Sequence, residues 1–141
     1  MAGPYTTLAN LLEGVGEFPK VPENLLRSLL PAEDRAKGLS DGLAHYHTIA
    51  WKRCIADFEM DRIDIDDQTL SDEVTELVQA MCCHLIMSIL HKQNRTHPQD
   101  SHNMAQKDHF DEYDRIRGRL RVVMASGRTT ELGEQNRLIR A

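Results

Sequence analysis

The chain has 141 residues, of which 28% are charged, 40% hydrophobic and 5% aromatic, and it carries a net charge of −5 at neutral pH. That length suits one domain with a real core, the mix favours a helical over a sheet-rich protein, and the negative balance gives no reason to expect general nucleic-acid binding. The three cysteines, Cys54, Cys82 and Cys83, are odd in number and two are adjacent; they read as reduced thiols and an intracellular site of assembly. The opening stretch Met1 to Gly14 lacks the basic region and long apolar run of a secretory signal. The longest apolar run, Leu85 to Leu90, includes Ser88 and falls short of the ~20 residues that span a bilayer.

In chain order, Thr6 or Thr7 caps a short helix from Leu8 to Glu13, which Gly14 and Gly16 end. Phe18-Pro19 and Val21-Pro22 impose extended backbone, because a residue before proline avoids the α region. Pro22 then opens a short helix through Leu30, with Leu25, Leu26, Leu29 and Leu30 to one side, and Pro31 stops it. The spacing predicts a longer helix from an N-cap at Ser40 to about Glu59. Its stripe is Leu43, Tyr46, Ala50, Cys54 and Phe58, widened by His47, Trp51 and Ile55. Gly42 weakens its first turn by about 1 kcal/mol relative to alanine. Met60 to Thr69 reads as an acidic connector. The strongest signal is Ser71 to Lys92: apolar residues at Val74, Leu77, Val78, Met81, Cys82, Leu85, Ile86, Ile89 and Leu90 keep an unbroken 3,4 spacing. Acids at its start and His91 and Lys92 at its end suit the helix dipole. This helix is too apolar for a surface position and should lie at the centre of the core.

Gln93 to Asn103 is a polar loop around Pro98. A last long helix is expected from Met104 to Ala125, burying Phe110, Tyr113, Ile116 or Arg117, Leu120, Val123 and Met124, with Ser126-Gly127 as its stop. The expected fold is therefore all-α: an antiparallel bundle of three to four helices with a short N-terminal helical lead-in. Residues 1–127 form the single domain, and 128–141 form an extended, flexible C-terminal arm.

Chemistry is harder to find. His45 and His47 diverge on a helix, and His84 and His91 stand two turns, ~10 Å, apart, too far to share an ion unaided. His97, His102 and His109 straddle the loop and are able to converge, but no HExxH or paired CxxC accompanies them. The Cys82-Cys83 pair lacks CxxC spacing and reads as core. The acids Asp57, Glu59, Asp61, Asp64, Asp66 and Asp67 fail the calcium-loop pattern, since a loop begun at Asp64 has Thr69 at its glycine place and Thr75 at its final Glu place. Arg115 and Arg119 share one face of the last helix, Arg117 and Arg121 the adjacent one, suited to phosphate or to carboxylates. Neither catalytic residues nor a metal or cofactor site are expected, and the chain is read as no enzyme.

Taken together, the proline-broken lead-in, SDGLAHYHTIAWKRCIADF, the acidic connector, VTELVQAMCCHLIMSIL, the polar loop and KDHFDEYDRIRGRLRVVMASG resemble the head–tail connector (adaptor) proteins of tailed bacteriophages. The similarity covers Val21 to Gly127. It includes the YxxxIxxL-like stretch of that group at Tyr113, Arg117 and Leu120, ending in Ser126-Gly127, with Arg117 standing where an apolar residue is usual. The resemblance implies a structural virion protein without catalysis. It would assemble in the host cytoplasm as a homo-oligomeric ring of about twelve copies below the portal protein, and receive a downstream neck or tail protein. DNA would pass transiently through the channel, and no membrane would be involved. Within that ring the acids Asp61, Asp64, Asp66 and Asp67 and the cations Arg115 and Arg119 would supply opposite flanks of the subunit interface. The arm residues Arg128, Arg137, Leu138, Ile139 and Arg140 would contact the portal. Two other classes compete: a small DNA-binding regulator using the arginine-rich last helix, against which stand the overall acidity and a loop too long for a helix-turn-helix, and a metal-dependent enzyme using His84, His91 and loop histidines.

Overall fold

The computed structural model describes residues 4–63, 71–96 and 100–140, the last of these as backbone only beyond Met124. Asp64, Asp66, Asp67 and His97 lie outside the described residues. Six helices are present among the described residues: α1 Leu8–Glu13, α2 Glu23–Leu29, α3 Ala32–Ala36, α4 Leu39–Met60, α5 Asp72–Asn94 and α6 Ser101–Arg140. The fold is all-α, and α4, α5 and α6 pack as a bundle.

The N-terminal lead-in is shaped by side-chain capping and glycine. Thr7 N–H donates to the Asn10 side-chain oxygen at 2.8 Å, which fixes the first turn of α1. At Gly14 φ is +82°, and a Cβ there would lie 2.9 Å from both the Phe18 carbonyl and the Lys20 amide. No L side chain fits that turn. Val15 and Phe18 then close on each other through two backbone hydrogen bonds, which turns Phe18 into the core and leaves Glu17 at the rim.

Pro31 does more than end α2. With φ at −56° it is already set for a helix start, and Glu33 and Asp34 follow in the first turn, so it opens α3. The sequence reading took Pro31 only as a stop and placed no helix there. The start of α4 also differs from expectation. Its cap is Gly38, at φ +90°, and not Ser40; only a residue tolerating positive φ makes this turn.

Gly42 explains why α3 packs so tightly on α4. A Cβ at this position would sit 2.3 Å from the Asp34 carbonyl oxygen. Helix propensity favours alanine by about 1 kcal/mol, but the obstacle is backbone and has nowhere to go. Gly42→Ala is therefore expected to lower stability by about 2 kcal/mol. An unchanged or raised urea midpoint would show that α3 yields.

The long helices follow their apolar stripes. On α4, Leu43, Tyr46, His47, Ala50, Trp51, Cys54 and Phe58 are buried, and so, unexpectedly, is Asp57. The Ser71 Oγ accepts from Val74 N–H at 3.2 Å and starts α5, which is buried on nearly every side between α6, α4 and the lead-in helices. By length and composition α5 is apolar enough to cross a membrane, but 78% of that apolar window is inside the fold; its apolarity is that of a core helix. The contacts Tyr46–Gln93 and Cys54–Cys82 run α4 antiparallel to α5. Those of His84 with His109 and His91 with His102 run α6 antiparallel to α5 in turn.

On α6 the buried positions are Tyr113, Ile116, Leu120 and Met124. Ile116, not Arg117, continues the apolar stripe. The expected stop at Ser126-Gly127 is overturned: α6 continues through both residues to Arg140. A glycine ends a helix only when the chain beyond it turns away. Here no proline follows, and Glu131, Leu132, Glu134, Gln135, Arg137, Leu138 and Arg140 are sound helix formers.

Candidate functional site

The most unusual arrangement on the molecule lies along the α5–α6 seam. α5 carries His84 and His91, and α6 carries His102 and His109; each pair is seven residues apart. Two antiparallel helices with equal spacing bring both pairs level at once. His84 Nδ1 lies 2.9 Å from His109 Nδ1, and His91 Nδ1 lies 3.0 Å from His102 Nδ1. Side chains lean toward the N-terminus of their own helix, so His91 and His109 tilt toward each other and stack with centroids 5.8 Å apart. The result is a file of four imidazoles in the order His84, His109, His91, His102.

Phe18 closes one end of the file, its ring meeting the His84 ring edge-on at 4.9 Å. His84 and His91 are buried, and His102 and His109 half-buried. Burial disfavours the imidazolium. It lowers His84, against the opposing pull of the Glu112 and Glu17 carboxylates. Burial and the neighbouring His109 and His102 bring His91 down to about 4. Burial and His84 bring His109 to about 4, although Asp108 and Glu112 act the other way. Among the described residues no group of three or more His, Cys, Asp or Glu side chains is placed to hold a metal ion.

The sequence reading did not foresee this file. It holds His84 and His91 too far apart to share an ion unaided, which is true of one helix alone. The available signal was the repeated seven-residue spacing on two helices expected to run antiparallel.

Between α4 and α6 lies a buried charge network. The Tyr113 hydroxyl donates to Asp57 Oδ2, and burial raises this phenol. Arg117 donates through Nε to Asp61 Oδ2 at 2.8 Å and through a terminal nitrogen to Asp61 Oδ1 at 3.0 Å. The same guanidinium lies 3.6 Å from Asp57, which Arg53 approaches at 3.3 Å from the other side. These hydrogen bonds from Arg117 hold the Asp61 carboxyl below its usual range. The acidic connector and the arginine helix thus do meet, but within one chain and through Arg117. With its side chain 5% exposed and both oxygens engaged, Asp61 is a folding contact rather than a free surface acid. Arg115 and Arg119 lie on the other flank, where both pair with Glu17 at 3.1 and 2.7 Å. About half of each remains exposed.

The thiols offer no chemistry of their own. Cys54 and Cys82 face each other at 3.3 Å in full burial. The hydrogen bond to Cys54, then burial, pushes Cys82 up, and burial takes Cys83 to about 12, so the nucleophilic thiolate is suppressed.

Arg128, Arg137, Leu138, Ile139 and Arg140 all fall on the last turns of α6. The histidine register, in which paired residue numbers sum to 193, brings Asp72, the first residue of α5, level with Arg121. α6 from Ala125 onward therefore lies past the end of α5. Comparison with family models, curated proteins and solved structures finds no match to this chain.

Proposed function

We propose that this chain is a structural assembly subunit: a head–tail adaptor of the tailed-bacteriophage kind, forming a ring below the portal and joining capsid to tail or neck. The observation that carries the reading is the length of α6. At 1.5 Å per residue α5 is about 35 Å long and α6 about 60 Å, and the antiparallel register places the surplus beyond α5. A helix extended by sixteen residues past its packing partner in a small bundle has an interaction role as its simplest use. The half-exposed Arg115 and Arg119 flank supplies a face to a neighbouring subunit, and Arg128, Arg137, Leu138, Ile139 and Arg140 supply the portal-facing end. A duplex-reading role for the arginine helix is less well supported, because Arg115, Arg117 and Arg119 are already matched by Glu17, Glu112, Asp57 and Asp61.

The test is co-expression with the portal protein of the same particle, followed by cryo-electron microscopy. A ring around an axial channel, with the end of α6 against the portal, is expected. Removing 128–141 should leave helicity of the body and thermal stability near those of the full chain while abolishing co-purification. Retained co-purification, or duplex binding that falls steeply with salt, would overturn the adaptor reading.

A further inference from the structure

Each facing imidazole pair has a strict proton requirement. At 2.9 and 3.0 Å between Nδ1 atoms, one nitrogen must carry a hydrogen and the other must present its lone pair. The neutral state meets this with one Nδ1–H and one Nε2–H tautomer per pair. Protonating the acceptor removes the hydrogen bond and sets two N–H groups head-on at the same short distance. It also places a cation against the stacked neighbour, so a charge anywhere in the file is felt along it.

The two halves of α6 are held differently. From Ser101 to Phe110 it is held through His102, His109, the long 3.5 Å contact of Gln106 with Ser88, a 3.1 Å hydrogen bond from Arg95 to the Asn103 side chain and the partly buried Phe110 ring at its end, while Met104 is exposed. From Tyr113 to Met124 it is fixed by four buried apolar or phenolic side chains and by the Asp57, Asp61 and Arg117 network. Only the first half depends on neutral histidine.

We propose that the four-histidine file is a proton-operated latch, which below neutral pH releases the Ser101–Phe110 half of α6 from α5 and leaves the Tyr113–Met124 half in place. Among the described residues, charged, polar and aromatic groups face the file from three elements. From the lead-in turn come Glu17 and Phe18, from α5 Ser88, and from α6 Gln106, Asp108, Glu112 and Arg115. The carboxylates of Glu17 and Glu112 favour a charged His84, but both are tied to Arg115. Among the described residues the charged-group influences on His91 come from His109 and His102. The file therefore resists the first proton and gives way when the open state takes it up. The released half would uncover the His84 and Ser88 side of α5 and the Phe18 ring of the lead-in turn that meets His84. This inference stands apart from the adaptor reading, since it concerns the isolated chain.

Amide hydrogen exchange of the full-length protein at pH 7.5 and pH 5.0, corrected for intrinsic exchange, tests it. Residues 102–110 should lose between about 10-fold and 100-fold in protection at pH 5.0 through an opening that depends little on urea, whereas 116–124 exchange only through the urea-dependent global unfolding. Equal urea dependence of exchange in both halves at pH 5.0, or no loss in 102–110, would overturn the latch. The variant His91→Leu/His109→Leu removes the stacked middle pair and should hold the protection of 102–110 within about twofold between the two pH values. Loss as large as in the unaltered protein would count against the proposal. Imidazole nitrogen NMR on the unaltered protein needs no variant to fold. One Nδ1–H and one Nε2–H tautomer per pair at pH 7.5 is expected, and four Nε2–H rings all titrating near the ordinary value of about 6.5 would refute the file.

Discussion

Arg117→Met is expected to destabilise the fold by about 3 kcal/mol, read as a lower urea midpoint with an unchanged slope. The guanidinium is the shared partner of two carboxylates, Asp57 and Asp61, whose side chains are 6% and 5% exposed. Methionine fills much of the same space, so the loss comes chiefly from charge. Two buried carboxylates are left with Arg53, Arg121 and the Tyr113 hydroxyl to compensate them, and Arg121 stands 3.9 Å from Asp61. The contrast is Arg53→Ala. That side chain is 52% exposed, and its pair is worth less than about 1 kcal/mol. Equal effects of the two substitutions would mean that Asp57 and Asp61 are hydrated and that the network is not buried.

Acid should weaken the protein well before its carboxylates protonate. His91 and His109 are both lowered to about 4 in the fold, against an ordinary value of about 6.5 in the unfolded chain. Between those limits the unfolded state binds more protons, so stability is complete above about pH 6.5 and is lost as pH falls toward 4. Each histidine contributes at most about 3 kcal/mol over that window. The two stack on one another, so their losses do not simply add, and about 4 kcal/mol together is expected. The lowered carboxyls of Asp61 and Glu112 act in the same sense, because the fold binds their protons less tightly too, but their contribution is lost only as pH falls through the carboxylate range. Urea titrations at half-unit intervals from pH 7.5 to 4.5 separate the two. A flat profile down to pH 5 would show that the histidines are already hydrated.

Much of the architecture was legible because it rests on periodicity. The stripe of α5 and the buried face of α4 follow from 3,4 spacing, and the structure keeps them. Three features escaped for one common reason: they depend on what a residue meets across the fold. Asp57 belongs by sequence to an acidic run that reads as surface, yet it is buried by Tyr113 and Arg117 from 56 residues or more away. Gly42 looks like a propensity defect until the Asp34 carbonyl is placed over it. The histidines look scattered until two helices are laid side by side in register. Pro31 was misread differently, as an end alone, although its fixed φ serves a beginning equally well.

The continuity of α6 has a mechanical meaning. A single helical rod joins the packed body to whatever meets its far end, without a hinge at Gly127. Sixteen residues at 1.5 Å give a lever of about 24 Å, so tilting the rod by ten degrees about the body carries its tip about 4 Å. Read in reverse, a few ångströms of displacement imposed at the tip arrive at Tyr113 and Arg117 as a rotation. The charge network there sits at the fulcrum, and its strength sets how stiffly the body answers a pull on its end.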